Sequence, residues 1–337
     1  MFFGNGWIGK KAPEIVPLDK DRWLNSKPLK MKELLGKVVL VDIWDYTCVN
    51  CIRTLPYIRE WDKKYGKLGL VTIGVHVPEF KFAKERKNVE DAAKKFGLTY
   101  PIVLDNDYEI WQSWYNNYWP RKFLIDAKGV VRYDHAGEGG YGETEAEIQK
   151  LLLEMDPKLK LPKIMEPVRE EDKPGSVCYP VTPETYCGFQ RGELGNKEGY
   201  KPNIIVDYKD VGDHEDSVVY LQGLWVAEPE NLRHARNTKD YDDYLLMKYH
   251  AIEANLVIRS EKGKSFKLLI EQDGKPLNKE DRGEDIKEEK EKTYLFVDEP
   301  RMYKLINNKQ FGTHVLKIYP NTDEFGAYAF TFTSCVM

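Results

Sequence analysis

A nearly unbroken apolar run, Val38 to Trp44, leads straight into a Cys-x-x-Cys segment, and few folds can host that combination. The run is short and rich in β-branched residues, the pattern of a strand covered on both faces in a parallel sheet. After Asp45-Tyr46-Thr47, apolar Ile52, Leu55, Ile58 and Trp61 recur at helical spacing as far as Lys64, which places Cys48 at a helix N-terminus. One residue breaks the strand. Asp42 would lie in a dry layer, where a carboxylate is costly unless it is paired or protonated.

The free N–H groups and the dipole of a first helical turn favour an anion, and the thiolate is the reactive form of cysteine. Such surroundings bring a thiol pKa from about 8.5 down to roughly 3.5–7.5. Cys48 is therefore the candidate nucleophile, with its neighbour Thr47 counted among the substrate-facing residues. Cys51, one turn further in, is the candidate resolving thiol, which attacks a mixed disulfide and releases the reduced partner. That attack requires Cys51 to lose a proton. A buried carboxylate of raised pKa beneath the pair would accept it, and Asp42 is the acid that the strand supplies. The pair would then cycle between dithiol and a Cys48–Cys51 disulfide.

Asp42 lies six residues before the first cysteine and Pro56 five after the second, which resembles the thioredoxin pattern VDFWAxWCxxC…P almost position for position. Further on, YWPRKFLID, Tyr118 to Asp126, is similar to the cis-proline loop and following strand of that fold. The Val49-Asn50 dipeptide, the segment GVHVPEF and the end of the chain resemble something narrower, the soluble C-terminal part of DipZ-type thiol:disulfide interchange proteins. The resemblance covers nearly all of the chain. It implies an α/β thioredoxin-like (TlpA-like) domain followed by an all-β antiparallel sandwich, jelly-roll-like and similar to carbohydrate-binding modules. It implies a protein thiol-disulfide oxidoreductase without a cofactor, a reductase rather than an oxidase, acting on protein disulfides and dithiols. Its electron donor would be a membrane domain of the DipZ/CcdA type. The resemblance also implies a cis bond at Trp119-Pro120, so that the backbone of Trp119 meets a bound chain and pairs with it like an added strand. The indole at 119 replaces a smaller residue usual there, and both a wider partner contact and plain packing are open.

Leu70 to Val75 reads as a second buried strand, and a right-handed crossover sets its end beside that of the first. His76, Glu79 and Phe80 then lie near the cysteines, at the strand ends where ligands are favoured. His76 and Glu79 either tune the thiolate and meet the substrate or serve the loop itself; a histidine after a strand allows both. Asn88 to Phe96 reads as an amphipathic helix, Tyr100 to Asp105 as a strand and Tyr108 to Tyr115 as an aromatic helix. Phe123 to Asp126 and Val130 to Tyr133 form a hairpin, and Thr144 to Met155 a closing helix with Thr144 and Glu147 as a capping box. The predicted redox domain is residues 1–155.

Residues 156–187 turn to Pro, Lys and Glu without periodicity, the composition of a linker. Cys178 and Cys187 fall there, and a structural disulfide between them, two free thiols, or a second redox pair are all open. Cys335, left over, is expected to be a free thiol. No familiar ligand spacing exists, so no metal is expected. Over 188–337 short alternating strands recur at 217–226, 245–249, 254–260, 265–272, 293–297, 314–319 and 327–333, with Asp273-Gly274 as a hairpin turn and the charged run 279–292 as a solvated loop. Trp225, Tyr241 and Tyr244 are candidates to stack on a glycan, with core packing the competing use.

A net charge of −4 with no basic stripe argues against nucleic acid as a partner. No apolar run reaches the roughly 18 residues of a membrane span. The opening MFFGNGWIGKKAPEI has neither a basic leader nor a signal-length apolar core, so the chain as written would stay where it is made; the DipZ resemblance points instead to an extracytoplasmic place, and both stand. Two other functions compete. A peroxiredoxin-like peroxidase wants a threonine three residues before its cysteine, where this chain has Asp45. A glycan- or protein-binding module with incidental cysteines has no need of Asp42, Cys-x-x-Cys and Pro120 together.

Overall fold

The computed structural model describes residues 6–336 and divides the chain into two compact units, one up to Lys173 and one from Pro174 onward. Residues 1–5 of the expected redox domain lie outside the described residues. In the first unit, β1 (Trp23–Leu24) and β2 (Val38–Trp44) precede α1 (Val49–Tyr65), β3 (Leu70–His76), α2 (Arg86–Phe96), β4 (Ile102–Leu104), α3 (Glu109–Ser113), β5 (Arg121–Ile125), β6 (Val131–Ala136) and α4 (Tyr141–Met155). The strands form one mixed sheet in the order β1-β4-β3-β2-β5-β6. β2 sits centrally, parallel to β3 and antiparallel to β5, with every residue buried. Its continuous apolar run is thus explained by cover on both faces, and the thioredoxin-like α/β fold is the observed one.

The register fixes the site. Trp44 pairs with His76 across β2 and β3, and Asp42 lies between Gly74 on one side and Lys122 on the other. The strand ends that carry Asp45 and the residues after His76 therefore share one edge of the sheet with the first turn of α1.

α4 differs from expectation at its start. The helix begins at Tyr141 after Gly140, which holds a left-handed conformation at φ 60°, and Thr144 bonds back to the Gly140 carbonyl at 2.8 Å instead of capping. The stretch after α4 was expected as linker from residue 156. Up to Lys173 it belongs to the first unit: Gln149 donates to the Pro162 carbonyl (2.8 Å), Met165 N–H to the Glu145 carboxylate (2.9 Å) and Val168 N–H to the Tyr57 hydroxyl (2.8 Å), while Tyr57 donates to Asp172 (2.6 Å). A chain with no periodicity of its own can be ordered when side chains of packed helices satisfy its backbone groups.

The second unit is antiparallel throughout its main sheet. β7 (Val177–Cys178) and β8 (Thr185–Tyr186) are followed by β9 (Ile205–Tyr208), β10 (Val219–Ala227), β11 (Leu232–His234), β12 (Tyr244–Ser260), β13 (Phe266–Gln272), β14 (Lys275–Pro276), β15 (Ile286–Glu289), β16 (Lys292–Val297), β17 (Arg301–Tyr319), β18 (Phe325–Thr333) and β19 (Cys335–Val336). Eleven of these join one sheet; β7 and β19 pair only with each other. β12 and β17 run beside one another for most of their length, and β12 changes its other neighbour from β10 near its start to β18 near its end. Register shifts between Ala251 and Asn255 interrupt the period-2 pattern, which is why the sequence reads β12 as two strands. The charged run expected as a loop contains a hairpin, turned at Lys290 and Glu291 with φ of 50° and 62°. Its side chains point largely to solvent, so composition gives no sign of pairing. Among the described residues no helix is long and apolar enough to cross a membrane.

The cysteines correct the sequence reading. Cys178 is bonded to Cys335, not to Cys187, because β7 and β19 set the two residues opposite each other 4.0 Å apart at Cα. Cys187 is a buried free thiol in the apolar core, where burial pushes its pKa far up. Trp225 likewise belongs to that core, wedged edge-on against His234 and Phe325, so it offers no stacking face. Tyr244 donates to Asp210 at 2.6 Å with Lys317 over its ring, and Tyr241 leans on Tyr294.

Candidate active site

Cys48 occupies the N-cap of α1. Its Sγ accepts the Cys51 N–H at 3.2 Å, and its carbonyl accepts the Ile52 N–H at 3.0 Å. Cys48 is partly exposed, Cys51 is wholly buried, and both are thiols. The helix terminus alone would lower the Cys48 pKa. It is nevertheless raised, chiefly by burial; the Cys51 N–H pulls it down, and the carboxylates of Glu79 and Asp45 push it up again. Cys51 is driven well above the ordinary thiol range, by burial first and then by the sulfur of Cys48.

Asp45 organises this edge, and sequence reasoning passed it over. Its fully buried carboxylate accepts from the Thr47 hydroxyl (2.5 Å), the His76 Nε2 (2.9 Å) and the Glu79 backbone N–H (3.1 Å). The structure thereby brings Thr47, His76 and Glu79 together with the cysteines, but around Asp45. His76 is completely buried and stacked on Tyr46, so it lies behind the site and does not face a partner. The sequence signal was available: a carboxylate directly after a buried strand and three residues before a cysteine needs partners. Replacing Asp45 by asparagine, which keeps the shape and removes the charge, is expected to let the Cys48 thiolate form at lower pH. Titrating the ultraviolet absorbance of the thiolate checks it; an unchanged or upward-shifted curve would show that Asp45 does not act on the sulfur.

Within the sheet, Asp42 and Lys122 are directly opposed across β2 and β5, and both are inaccessible to solvent. Burial raises Asp42 to about 7, with the Lys122 ammonium pulling it back. Burial lowers Lys122 to about 8, with Asp42, Cys51 and Glu138 opposing. Neither Asp42 oxygen has a hydrogen-bond partner among the described residues, whereas Lys122 donates to the Gly137 carbonyl at 3.0 Å. Glu138 in turn meets Arg53 of α1 (3.5 Å) and Arg169 (3.7 Å). Lys122 was also missed, though alternation along β5 puts it on the face of Leu124.

Pro120 is buried one residue before the Ile43–Arg121 pair, hence at the same sheet edge as Asp45, and the Trp119–Pro120 bond is cis. The indole of Trp119 donates to the Val77 carbonyl (3.1 Å) and packs 4.1 Å from Trp111. Its ring is thus engaged within the protein.

Both units are similar to known proteins. The family pattern described as Redoxin matches residues 8–152, and that described as Thioredoxin like C-terminal domain matches 182–333. The protein DipZ of Mycobacterium tuberculosis is 33% identical over 319 residues, covering 92% of this chain and 41% of its own length. This chain therefore spans about two fifths of that relative. The thiol-disulfide oxidoreductase ResA of Bacillus cereus is 31% identical over 144 residues, 43% of this chain and 78% of its own. Among solved structures, a thiol-disulfide isomerase of Corynebacterium glutamicum superposes with a TM-score of 0.38 at 23% identity, over 42% of this chain and 96% of its own.

Proposed function

The chain belongs to the thioredoxin-like thiol-disulfide oxidoreductases, and from that premise we propose that it is a reductase, passing two electrons from the Cys48–Cys51 dithiol to disulfides of partner proteins. The observation that carries the direction is the setting of Cys48, desolvated first by burial and then flanked by carboxylates. A strong oxidant of this class stabilises its reduced form, and a thiolate held low by cations or N–H groups does so. Here burial and the carboxylates of Glu79 and Asp45 disfavour the thiolate. The dithiol is then the less stable state and gives its electrons away.

The steps follow from the placement of each group. The Cys48 thiolate attacks a partner disulfide at the exposed end of α1, one partner sulfur leaves as thiolate, and a mixed disulfide forms. Cys51 attacks Cys48 Sγ, its proton passing to Asp42, and the second partner thiol is released. Asp42, near 7, can take that proton close to neutral pH. The backbone at Trp119 and Pro120 offers the edge along which an extended partner segment pairs, while Thr47, buried and bonded to Asp45, does not face the partner. As electron donor we propose a membrane domain of the DipZ/CcdA type.

The equilibrium potential of the Cys48–Cys51 pair against glutathione, with the other cysteines blocked, tests the direction. A value toward the thioredoxin end, about −270 mV, is expected. One near −120 mV, the strong-oxidant end, would reverse the assignment.

A further inference from the structure

Cys178 and Cys335 form a bond unlike a buried structural cystine. They lie in β7 and β19, a ladder of two residues per strand that is separate from the main sheet. Both β7 residues are exposed, and Cys335 is only half-buried. So short a ladder is marginal by itself. Beyond its own pairing, Ser334 donates to the Tyr179 carbonyl. Next to the sulfurs is an apolar surface: Val177 is 52% exposed, and Tyr179, at 43%, stacks 4.8 Å from Phe311. The bond can therefore be approached from the exposed Cys178, and an apolar rim is at hand for whatever approaches. Exposed disulfides are the labile ones, open to exchange, while shielded ones resist reduction.

The bond also has a strategic place in the chain. The first unit ends at Lys173, and Cys178 is the fifth residue after it. With the bond closed, the stretch between the first unit and a covalently fixed point is 174–177. With it open, the next residues seated on the core of the second unit are Val181, packed against it, and Thr182, buried and donating its N–H to the His250 carbonyl at 3.1 Å. Once the two-residue ladder parts, the connector between these anchors runs over 174–180. Its maximum reach grows by roughly 10 Å, at about 3.3–3.6 Å per residue.

We propose that Cys178–Cys335 is a second thiol-exchange site of this protein, one that a dithiol opens in the native state and that sets the length of the connector between the two units. The step balances. A thiolate of the dithiol attacks the Sγ of the exposed residue Cys178, the Sγ–Sγ bond breaks, and Cys335 leaves as a thiolate that takes up a proton. The second thiol of the reductant then displaces Cys178 from the mixed disulfide. The dithiol ends as a disulfide, and two electrons and two protons have moved to the cystine. The site requires a dithiol but not the Cys48–Cys51 pair, so it stands or falls apart from the reductase reading.

The test uses the full chain carrying Cys48→Ser and Cys51→Ser, in which Cys178–Cys335 is the remaining bond. It is treated with dithiothreitol without denaturant, quenched with an alkylating agent and mapped by peptide mass, with limited proteolysis run alongside. Cys178 and Cys335 are expected to be labelled at least on the order of 10³-fold faster than Cys187, because local opening is far cheaper than exposing the core. New cleavage is expected within 174–180. The same mapping on the wild-type chain gives the answer independently if the double variant is poorly folded. The proposal is overturned if the bond survives until denaturant is added, if Cys187 is labelled together with it, or if reduction leaves cleavage within 174–180 unchanged.

Discussion

Serine at Cys48 is expected to lower dithiol-driven reduction of a model protein disulfide by on the order of 10⁴-fold or more while leaving the fold intact. The hydroxyl gives no accessible anion near neutral pH. Cys51 cannot take over, because its sulfur is fully buried and its pKa is held well above the ordinary thiol range. The helix should tolerate the change, since a serine oxygen can accept the Cys51 N–H that Cys48 Sγ now accepts. Serine at Cys51 is expected to do the reverse kinetically. Attack by Cys48 remains, resolution is lost, and partner proteins accumulate as covalent adducts that thiol reductants release. Adducts are read by mass on non-reducing separation. Retention of a tenth of the turnover in the Cys48 variant, or a Cys51 variant that collects no adducts through Cys48, would defeat the assignment of nucleophile and resolving thiol.

What the sequence discloses divides along physical lines. The strand and helix that carry the cysteines are local: an apolar run with β-branched residues and a helical spacing read without tertiary information, and Asp42 is conspicuous because it violates the run. The partners of that violation are not local. Lys122 is eighty residues away and becomes visible only once β5 is known to lie antiparallel to β2 with 42 opposite 122. Asp45 is next to the motif but reads as a turn residue until the loop after His76 folds over it. The N–H groups at the start of α1 do pull the Cys48 pKa down, but burial and two carboxylates outweigh them.

The second unit shows a different failure. Antiparallel alternation was legible for most of its strands, but register shifts hid the continuity of β12, and the polar stretch Asn307 to Gln310 within β17 gave no alternating signal. The disulfide depended on a ladder between two-residue strands at opposite ends of the unit, 157 residues apart in sequence, and no spacing rule reaches that far. Aromatics such as Trp225 that looked available for a ligand were needed to fill the core.

Asparagine at Asp42 is expected to have two opposite effects, a slower reaction and a firmer fold. For the reaction, resolution of the mixed disulfide should slow by on the order of 10²-fold near pH 7, the scale of a lost general base. The wild-type rate should fall as pH drops below about 7, where Asp42 is already protonated, and the variant should lose that inflection. For the fold, the carboxyl ionises near 7 in the native interior and near 3.9 in an unfolded chain. The native state therefore holds the extra proton between those values. The stability this confers is complete below about pH 4 and fades as pH rises through 7, leaving a buried carboxylate whose cost is on the order of 4 kcal/mol. Lys122 has the opposite sign: its native pKa, near 8, lies below the unfolded value, so its penalty is full below 8 and lifts as pH climbs toward about 10.4. The two costs overlap most between pH 7 and 8. Asparagine removes the first but leaves the ammonium without its counter-charge, so the net gain at pH 8 should be about 1–3 kcal/mol by denaturant unfolding, with little change at pH 4. Adding Lys122→Met removes the stranded charge and should raise the gain further. Equal stabilities of the Asp42 variant and wild type at pH 8, together with an unshifted rate profile, would mean that the carboxylate neither carries the proton nor bears the cost of its burial, since either role alone leaves one of these two signatures.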